Sequence, residues 1–377
     1  MISPLILLAS FLLSQNAPLS FYSVDIISNQ NGYSLNASIG DPSKLINLEI
    51  NLNNNFLCLS PSGYNKDTSL TAFKENVKDV PIEIGYRVVA ANVIIDTVSI
   101  GGIILKQFPF YNALSNSITN TIGLANNIND KRFGLISQLK ERGYVRRGVF
   151  GINKMKLFIG GFPNEERLEM IGKCTVENEY NRYSWGCNLS QIKIVSKGTG
   201  LVFMNPYYTV FQTNTNDILV PANYYDSIID GILNPYFIKS SCMTGLISGD
   251  ETIHCDCKKI NDFPMVIFNF NGVDIQFDKG MLFEPDNDLC RFKMIKSYKK
   301  DYVNYWVFGT SIFKNYSLLF NSDNNIIEFY HTFSYEGENK NRMMNPLCLG
   351  NVVIVLIGTV LLLVSKYYMI NKQYVYK

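Results

Sequence analysis

Histidine is nearly missing from this chain: only His254 and His331 occur among 377 residues, and they lie far apart in sequence. Chemistry that gathers several imidazoles has little to draw on here. Net charge is nearly missing too, because 34 basic residues interleave with 32 acidic ones to leave +2. Phosphate backbones are bound by concentrated basic surfaces, so nucleic acid is not an expected partner. The chain has no phosphate-binding loop, no nucleophile motif and no low-complexity linker. No cofactor is expected.

What is present is apolar and long. With 47% apolar residues, the chain can bury a large core, and its length suits two domains better than one. An apolar run from Pro4 to Leu13 is too short to span a bilayer and reads as a secretory signal peptide over 1–20. A basic leader segment is absent, and Pro18 disfavours cleavage after Ala17. Near the other end, Leu347–Ser365 is almost wholly apolar and long enough to cross as a helix. Lys366, Lys372 and Lys377 follow it, which places the tail 366–377 in the cytosol. A glycolipid anchor signal is the competing reading, but such signals normally end within the apolar stretch. The expected topology is a single-pass type I protein of the secretory pathway or cell surface.

Eight cysteines agree with an exported ectodomain. The expected pairs are Cys174–Cys187, Cys242–Cys255 and Cys257–Cys290, although spacing leaves other connectivities open. Cys58 and Cys348 are left over, Cys58 as a buried thiol in an apolar strand. A zinc site from Cys242, His254, Cys255 and Cys257 is the alternative for that cluster. An oxidising compartment favours disulfides, so no metal is expected.

Between Phe21 and Thr332 the pattern is short strands bounded by turn residues. Runs at Leu45–Leu52, Phe56–Leu59, Pro81–Tyr86, Val93–Ile100, Leu157–Ile159, Met265–Phe270 and Ile326–Tyr330 are rich in aliphatic, β-branched or aromatic residues. Helical spacing occurs at Gly134–Arg142 and Tyr224–Leu233. Periodicity alone therefore predicts a mainly β protein of two lobes.

Two segments share a further pattern, a hydrophobic strand, a polar turn and a second hydrophobic strand. They are Leu48–Leu57 with Asn51-Leu52-Asn53-Asn54, and Thr209–Ile218 with Gln212-Thr213-Asn214-Thr215. Each resembles the loop that carries a catalytic aspartate in pepsin-like aspartic proteases (peptidase A1). Other pieces follow in the family's order. Tyr33–Pro42 resembles its first strand and Ile-Gly-x-Pro turn, and Asp96-Thr97-Val98 resembles its segment after the flap. Thr121-Ile122-Gly123-Leu124-Ala125 resembles the element under the first loop, Trp306–Tyr316 resembles its counterpart in the second lobe, and Phe320–Phe329 resembles the closing strand pair. The resemblance covers about residues 30 to 332. It implies a bilobal acid-protease fold, with an N-terminal lobe at 21–175, a C-terminal lobe at 176–333, a stalk at 334–346 and the membrane helix at 347–365.

The same resemblance exposes what is missing. Family members share one proton between two carboxylates; here those positions read Asn51 and Gln212, and no Asp-Thr-Gly or Asp-Ser-Gly occurs anywhere. Amides hydrogen-bond but do not exchange protons near physiological pH. The inter-lobe threonine becomes Leu52 in the first loop and stays Thr213 in the second. The flap tyrosine position falls on Ile84, followed by Gly85 and Tyr86. The expected catalytic set is therefore empty, with Ile84, Gly85, Tyr86, Thr213 and Thr215 left to line a peptide-binding cleft. Sequons stand at Asn36, Asn188 and Asn315; Asn188 is expected to carry glycan most readily, and Asn315 to be hindered by the apolar strand after it. The reading is an inactive, membrane-anchored homologue that binds an extended peptide or protein. Its rivals are an active endopeptidase with a non-standard site and a structural surface glycoprotein.

Overall fold

The computed structural model describes residues 21–334 apart from 30–31, 76–78, 85–86, 127–130, 178–184, 197–198, 248–249, 261–262 and 298–304. The expected signal peptide, nearly all of the stalk, the 347–365 segment and the tail lie outside the described residues, as do Gly85 and Tyr86. Among the described residues, no helix is long and apolar enough to cross a membrane.

Among the described residues, four sheets make up the architecture. Eight strands between Ile27 and Ala113, with Thr121–Gly123 as the ninth, form the sheet of the first half; seven between Asn188 and Phe308 form its counterpart in the second. A smaller four-stranded sheet contains Cys242–Ile247, Asp250–Asp256, Phe283–Asp286 and Leu289–Phe292. The remaining sheet joins strands from the beginning and the end of the described residues. Its order is Tyr22–Asp25, Lys156–Ile159, Val149–Asn153, Tyr316–Asn321, Ile326–His331, Met170–Thr175.

Side-chain pattern explains which strands sit where. Val273–Phe277 alternates, with Val273, Ile275 and Phe277 buried and Asp274 and Gln276 exposed, as a sheet with one solvated face requires. Val149–Asn153 and Tyr316–Asn321 are buried at every position, so the sheet they share is covered on both faces at its centre. Aromatic rings fill the second lobe: Phe268, Phe270 and Phe277 surround Phe308, with edge-to-face or tilted centroid separations of 5.0, 5.1 and 5.7 Å.

The strands follow the sequence reading with shifted ends. Val93–Ile100 is the latter part of Arg87–Ile100, and Pro81–Tyr86 becomes Val80–Ile84. The helix expected at Gly134–Arg142 spans Leu135–Glu141, flanked by those two residues as caps. The helix expected at Tyr224–Leu233 runs longer, Ala222–Ile238, and continues through Pro235. Disulfides join Cys174 to Cys187, Cys242 to Cys255 and Cys257 to Cys290. Cys58 is a free, fully buried thiol whose pKa burial pushes up to about 12, which keeps it protonated and unreactive.

Candidate functional site

The two polar loops are built by the same local construction. Thr121–Gly123 inserts between Lys44–Asn51, to which it runs parallel, and Leu57–Leu59, to which it runs antiparallel. In the second lobe, Tyr305–Phe308 inserts between Thr199–Phe211, parallel, and Ile218–Pro221, antiparallel. The first inserted strand ends on Gly123 and the second is followed by Gly309, and a side chain at either would collide with backbone. A Cβ on Gly123 would lie 2.4 Å from the Asn54 carbonyl oxygen, and one on Gly309 would lie 2.4 Å from that of Thr215. The Gly123 amide donates to Phe56 O (2.8 Å) and the Gly309 amide to Asp217 O (3.1 Å). Gly123 lies opposite Asn51, while Phe308, just before Gly309, lies opposite Phe211, just before Gln212. Asn51 and Gln212 therefore occupy matching places in the two lobes.

Both side chains are buried, with Asn51 8% and Gln212 4% exposed. Asn51 Oδ1 accepts the amide of Asn53 at 2.7 Å, an Asx turn that closes the first loop on itself. This commits the oxygen of Asn51 to its own loop. The Asn51 carbonyl accepts from Leu124 N, and Leu124 O accepts from Trp185 Nε1 at 2.7 Å. Trp185 is 1% exposed and stands edge-on to Phe150 and Phe320. It braces the first loop from the second half of the chain, a role that sequence spacing did not reveal.

The loops are tied asymmetrically. Thr213 Oγ1 donates to Ile50 O at 2.7 Å, and Thr213 O accepts from Tyr33 N at 2.7 Å. Leu52, its counterpart, is buried and apolar and cannot return the bond. Replacing Thr213 by Val should strand the buried Ile50 carbonyl and cost about 1–3 kcal/mol. Denaturant unfolding would measure that loss; a change below about 0.5 kcal/mol, the lower limit for an ordinary hydrogen bond, would show that the tie contributes nothing. Thr215 is half-buried, and its hydroxyl accepts the amide of Asp217 at 3.2 Å.

Neighbouring carboxylates are engaged elsewhere. Asp217 pairs with Arg291 at 2.8 Å. Asp96, 1% exposed, accepts from the Tyr64 hydroxyl (2.6 Å), the Thr97 amide (2.7 Å) and the Thr71 hydroxyl. Burial, and then the bond to Asp96, raises the Tyr64 pKa above its ordinary range. Ile84 is half-buried at the end of the hairpin strand Val80–Ile84, opposite Arg87. It packs with Ile82 against a shelf that includes Phe56, Tyr111 and Phe133, where Tyr111 and Phe133 stack at 4.5 Å.

Residues 42–332 match the family described as eukaryotic aspartyl protease. The chain belongs to that family. Among solved structures, an aspartic proteinase from Irpex lacteus superposes with a TM-score of 0.67 at 12% identity. The alignment covers 85% of this chain and 100% of that one. No curated protein sequence matches the chain. The fold is thus the mainly β, bilobal pepsin-like fold expected from the loops, and the three disulfides fit an extracellular or secretory compartment.

The remaining sequence candidates are dispersed. Cys242, Cys255 and Cys257 are consumed by disulfides, and His254 Nε2 lies 3.1 Å from Thr252 Oγ1. Asn36 and Asn315 are exposed, whereas Asn188 is half-buried with Nδ2 donating to Glu177 Oε2 at 2.6 Å. Accessibility therefore favours Asn36 and Asn315 over Asn188, the reverse of the sequence expectation, because Asn188 opens a strand already packed against its neighbours.

Proposed function

We propose that this member of the aspartyl protease family does not cleave peptides and instead binds an extended peptide or protein segment between its lobes. The observation that carries the reading is the matched placement of Asn51 and Gln212 under glycines Gly123 and Gly309. In a protease of this family those places carry the paired carboxylates, one acting as base toward a water and the other as acid toward the scissile carbonyl. Here the Asn51 oxygen is occupied by its own loop, and neither amide takes or gives a proton at working pH. Peptide recognition by backbone hydrogen bonds and apolar pockets does not need that charge. Ile82, Ile84, Phe56, Tyr111 and Phe133 supply a surface suited to an apolar side chain of such a peptide.

Gln212, Thr213 and Thr215 are the groups assigned to the peptide backbone. A peptide-display selection on the full-length chain should yield a binder, and Gln212→Ala should weaken it by about 0.5–1.5 kcal/mol, the worth of one hydrogen bond. If selected peptides bind equally well after substitution of Gln212 and of Ile84, they bind elsewhere, and the structural-glycoprotein reading takes over.

The proposal includes the membrane anchor at 347–365, the signal peptide at 1–20, the stalk at 334–346 and glycans at the exposed sequons. Protease added to sealed vesicles should remove only the 366–377 tail. A protected tail, or release of the chain by a phospholipase that cuts glycolipid anchors, contradicts the topology.

A further inference from the structure

A second cavity, of about 310 Å³, opens behind the second loop and is lined by Lys154, Asn216, Glu284, Lys293, Thr310 and Lys314 among others. Its most unusual member is Lys293, whose side chain is only 2% exposed. The backbone holds this residue in place, since its amide donates to Leu282 O at 2.9 Å and its carbonyl accepts Ile218 N at 2.8 Å. The ammonium itself has no acceptor within hydrogen-bond distance among the described residues; Glu284 Oε2 is nearest, at 3.9 Å. That carboxylate is already committed to Arg291, which it meets at 2.8 Å, and Arg291 also pairs with Asp217 at 2.8 Å. Burial would raise the Glu284 pKa, but the Arg291 hydrogen bond and the charges of Lys293 and Arg291 hold it low, so Glu284 stays ionised beside them.

The charge balance of the cavity is lopsided. Lys154 and Lys314 are both exposed, and among the described residues neither has an ion-pair partner; Lys314 Nζ donates only to the Gly280 carbonyl, at 3.1 Å. Three cations of the lining (Lys154, Lys293 and Lys314) thus stand against one carboxylate, Glu284, which Arg291 already engages. A buried ammonium without acceptors is unfavourable by several kcal/mol in general terms, and such a group persists where something completes it. Water could solvate it, but water would leave the surplus positive charge uncompensated.

We propose that this cavity is an anion-binding site that takes a phosphate or carboxylate group, with Lys293 as the buried donor and Lys154 and Lys314 closing over it. The lining suits an oxyanion with several acceptor atoms, because each of its three ammonium groups offers three donors. The inference does not depend on how the peptide cleft is read. Burial and then the nearby Lys314 bring the Lys293 pKa down to about 8. An anion placed among these groups opposes both effects and raises the Lys293 pKa.

The test titrates the full-length chain with inorganic phosphate in one arm and acetate in the other, each against chloride at matched ionic strength. Thermal unfolding and the Lys293 Nζ resonance are the readouts. A saturable rise in unfolding temperature and an upward shift of the Lys293 titration are expected with phosphate, acetate or both. Response to phosphate alone marks a phosphoryl ligand, and response to acetate marks a carboxylate. Lys293→Met should weaken binding at least about tenfold, the loss typical of a charged hydrogen bond, and Lys314→Gln several-fold. Only the ligand-induced change is compared, since Lys293→Met alters basal stability. Should Lys293→Met not fold, the wild-type resonance decides. Responses no larger than in chloride, an unmoved Lys293 resonance, or affinity retained within about twofold in the variants would overturn the site.

Discussion

Incubated with a peptide library between about pH 3 and 7, where carboxylate dyads titrate, the purified full-length chain will release no new peptide termini. The effect sought is large. Positioned acid–base groups contribute about 10²–10⁴-fold, and replacing both removes the proton relay together with the negative charge that polarises the attacking water. Asn51 compounds the loss, because its oxygen accepts the Asn53 amide at 2.7 Å and faces its own loop. Restoring one aspartate should leave the chain inert, since the reaction needs an acid and a base at once. The pair Asn51→Asp with Gln212→Asp is the stronger test. Even that pair is expected to recover little, because Leu52 cannot supply the hydrogen bond that Thr213 makes to Ile50 O and Ile84 has no hydroxyl. Pepstatin-sensitive cleavage by the unmodified chain, in a preparation free of other proteases, would falsify the inactive reading.

Replacing Lys293 by Met should stabilise the fold at neutral pH, by about 1–3 kcal/mol. Burial holds the Lys293 pKa down at about 8, against an ordinary 10.5. Below pH 8 the ammonium is protonated in both folded and unfolded chains, and the full penalty of burying it falls on the folded state. Between about pH 8 and 10.5 the unfolded chain binds more protons at this residue, so its contribution to stability rises with pH across that window. Above 10.5 the residue is neutral in both states and the penalty is gone. Urea unfolding at pH 7, 9 and 11 (about the three regimes of this titration) should show the gain from Met shrinking as pH rises. A Met variant less stable than wild type at pH 7 would mean that Lys293 is fully compensated as it stands. Residues retained against such a penalty are commonly retained for a function.

Much of this was legible in the chain because the loops depend on local signals. A polar turn between apolar strands marks each loop, and Gly123 and Gly309 mark where an inserted strand needs a residue without a side chain. Strand ends shifted by a few residues because fraying and pairing, more than composition, decide them; Arg87–Ala90 joined its strand only by pairing with Val80–Ile84. The longer helix Ala222–Ile238 escaped because Pro235 reads as a stop, whereas tertiary packing overrides one lost amide bond. Trp185 and the Lys293 cavity were invisible for another reason. Their partners come from distant segments, Trp185 reaching Leu124 and the cavity drawing on residues from Ser28 to Lys314. No periodicity in one sequence encodes such meetings.

The sheet that joins the early strand Tyr22–Asp25 to the late strands Tyr316–Asn321 and Ile326–His331 sets an order of events in time. Val149–Asn153 pairs with Tyr316–Asn321, Phe150 lying opposite Phe320 and stacked on it at 4.8 Å. During synthesis the first half emerges with that strand edge bare, and its apolar residues have no cover until the last strands arrive. Contacts so distant along the chain slow folding and lengthen exposure of sticky edges. A cut between the halves would leave the Val149–Asn153 edge without the strand that covers it.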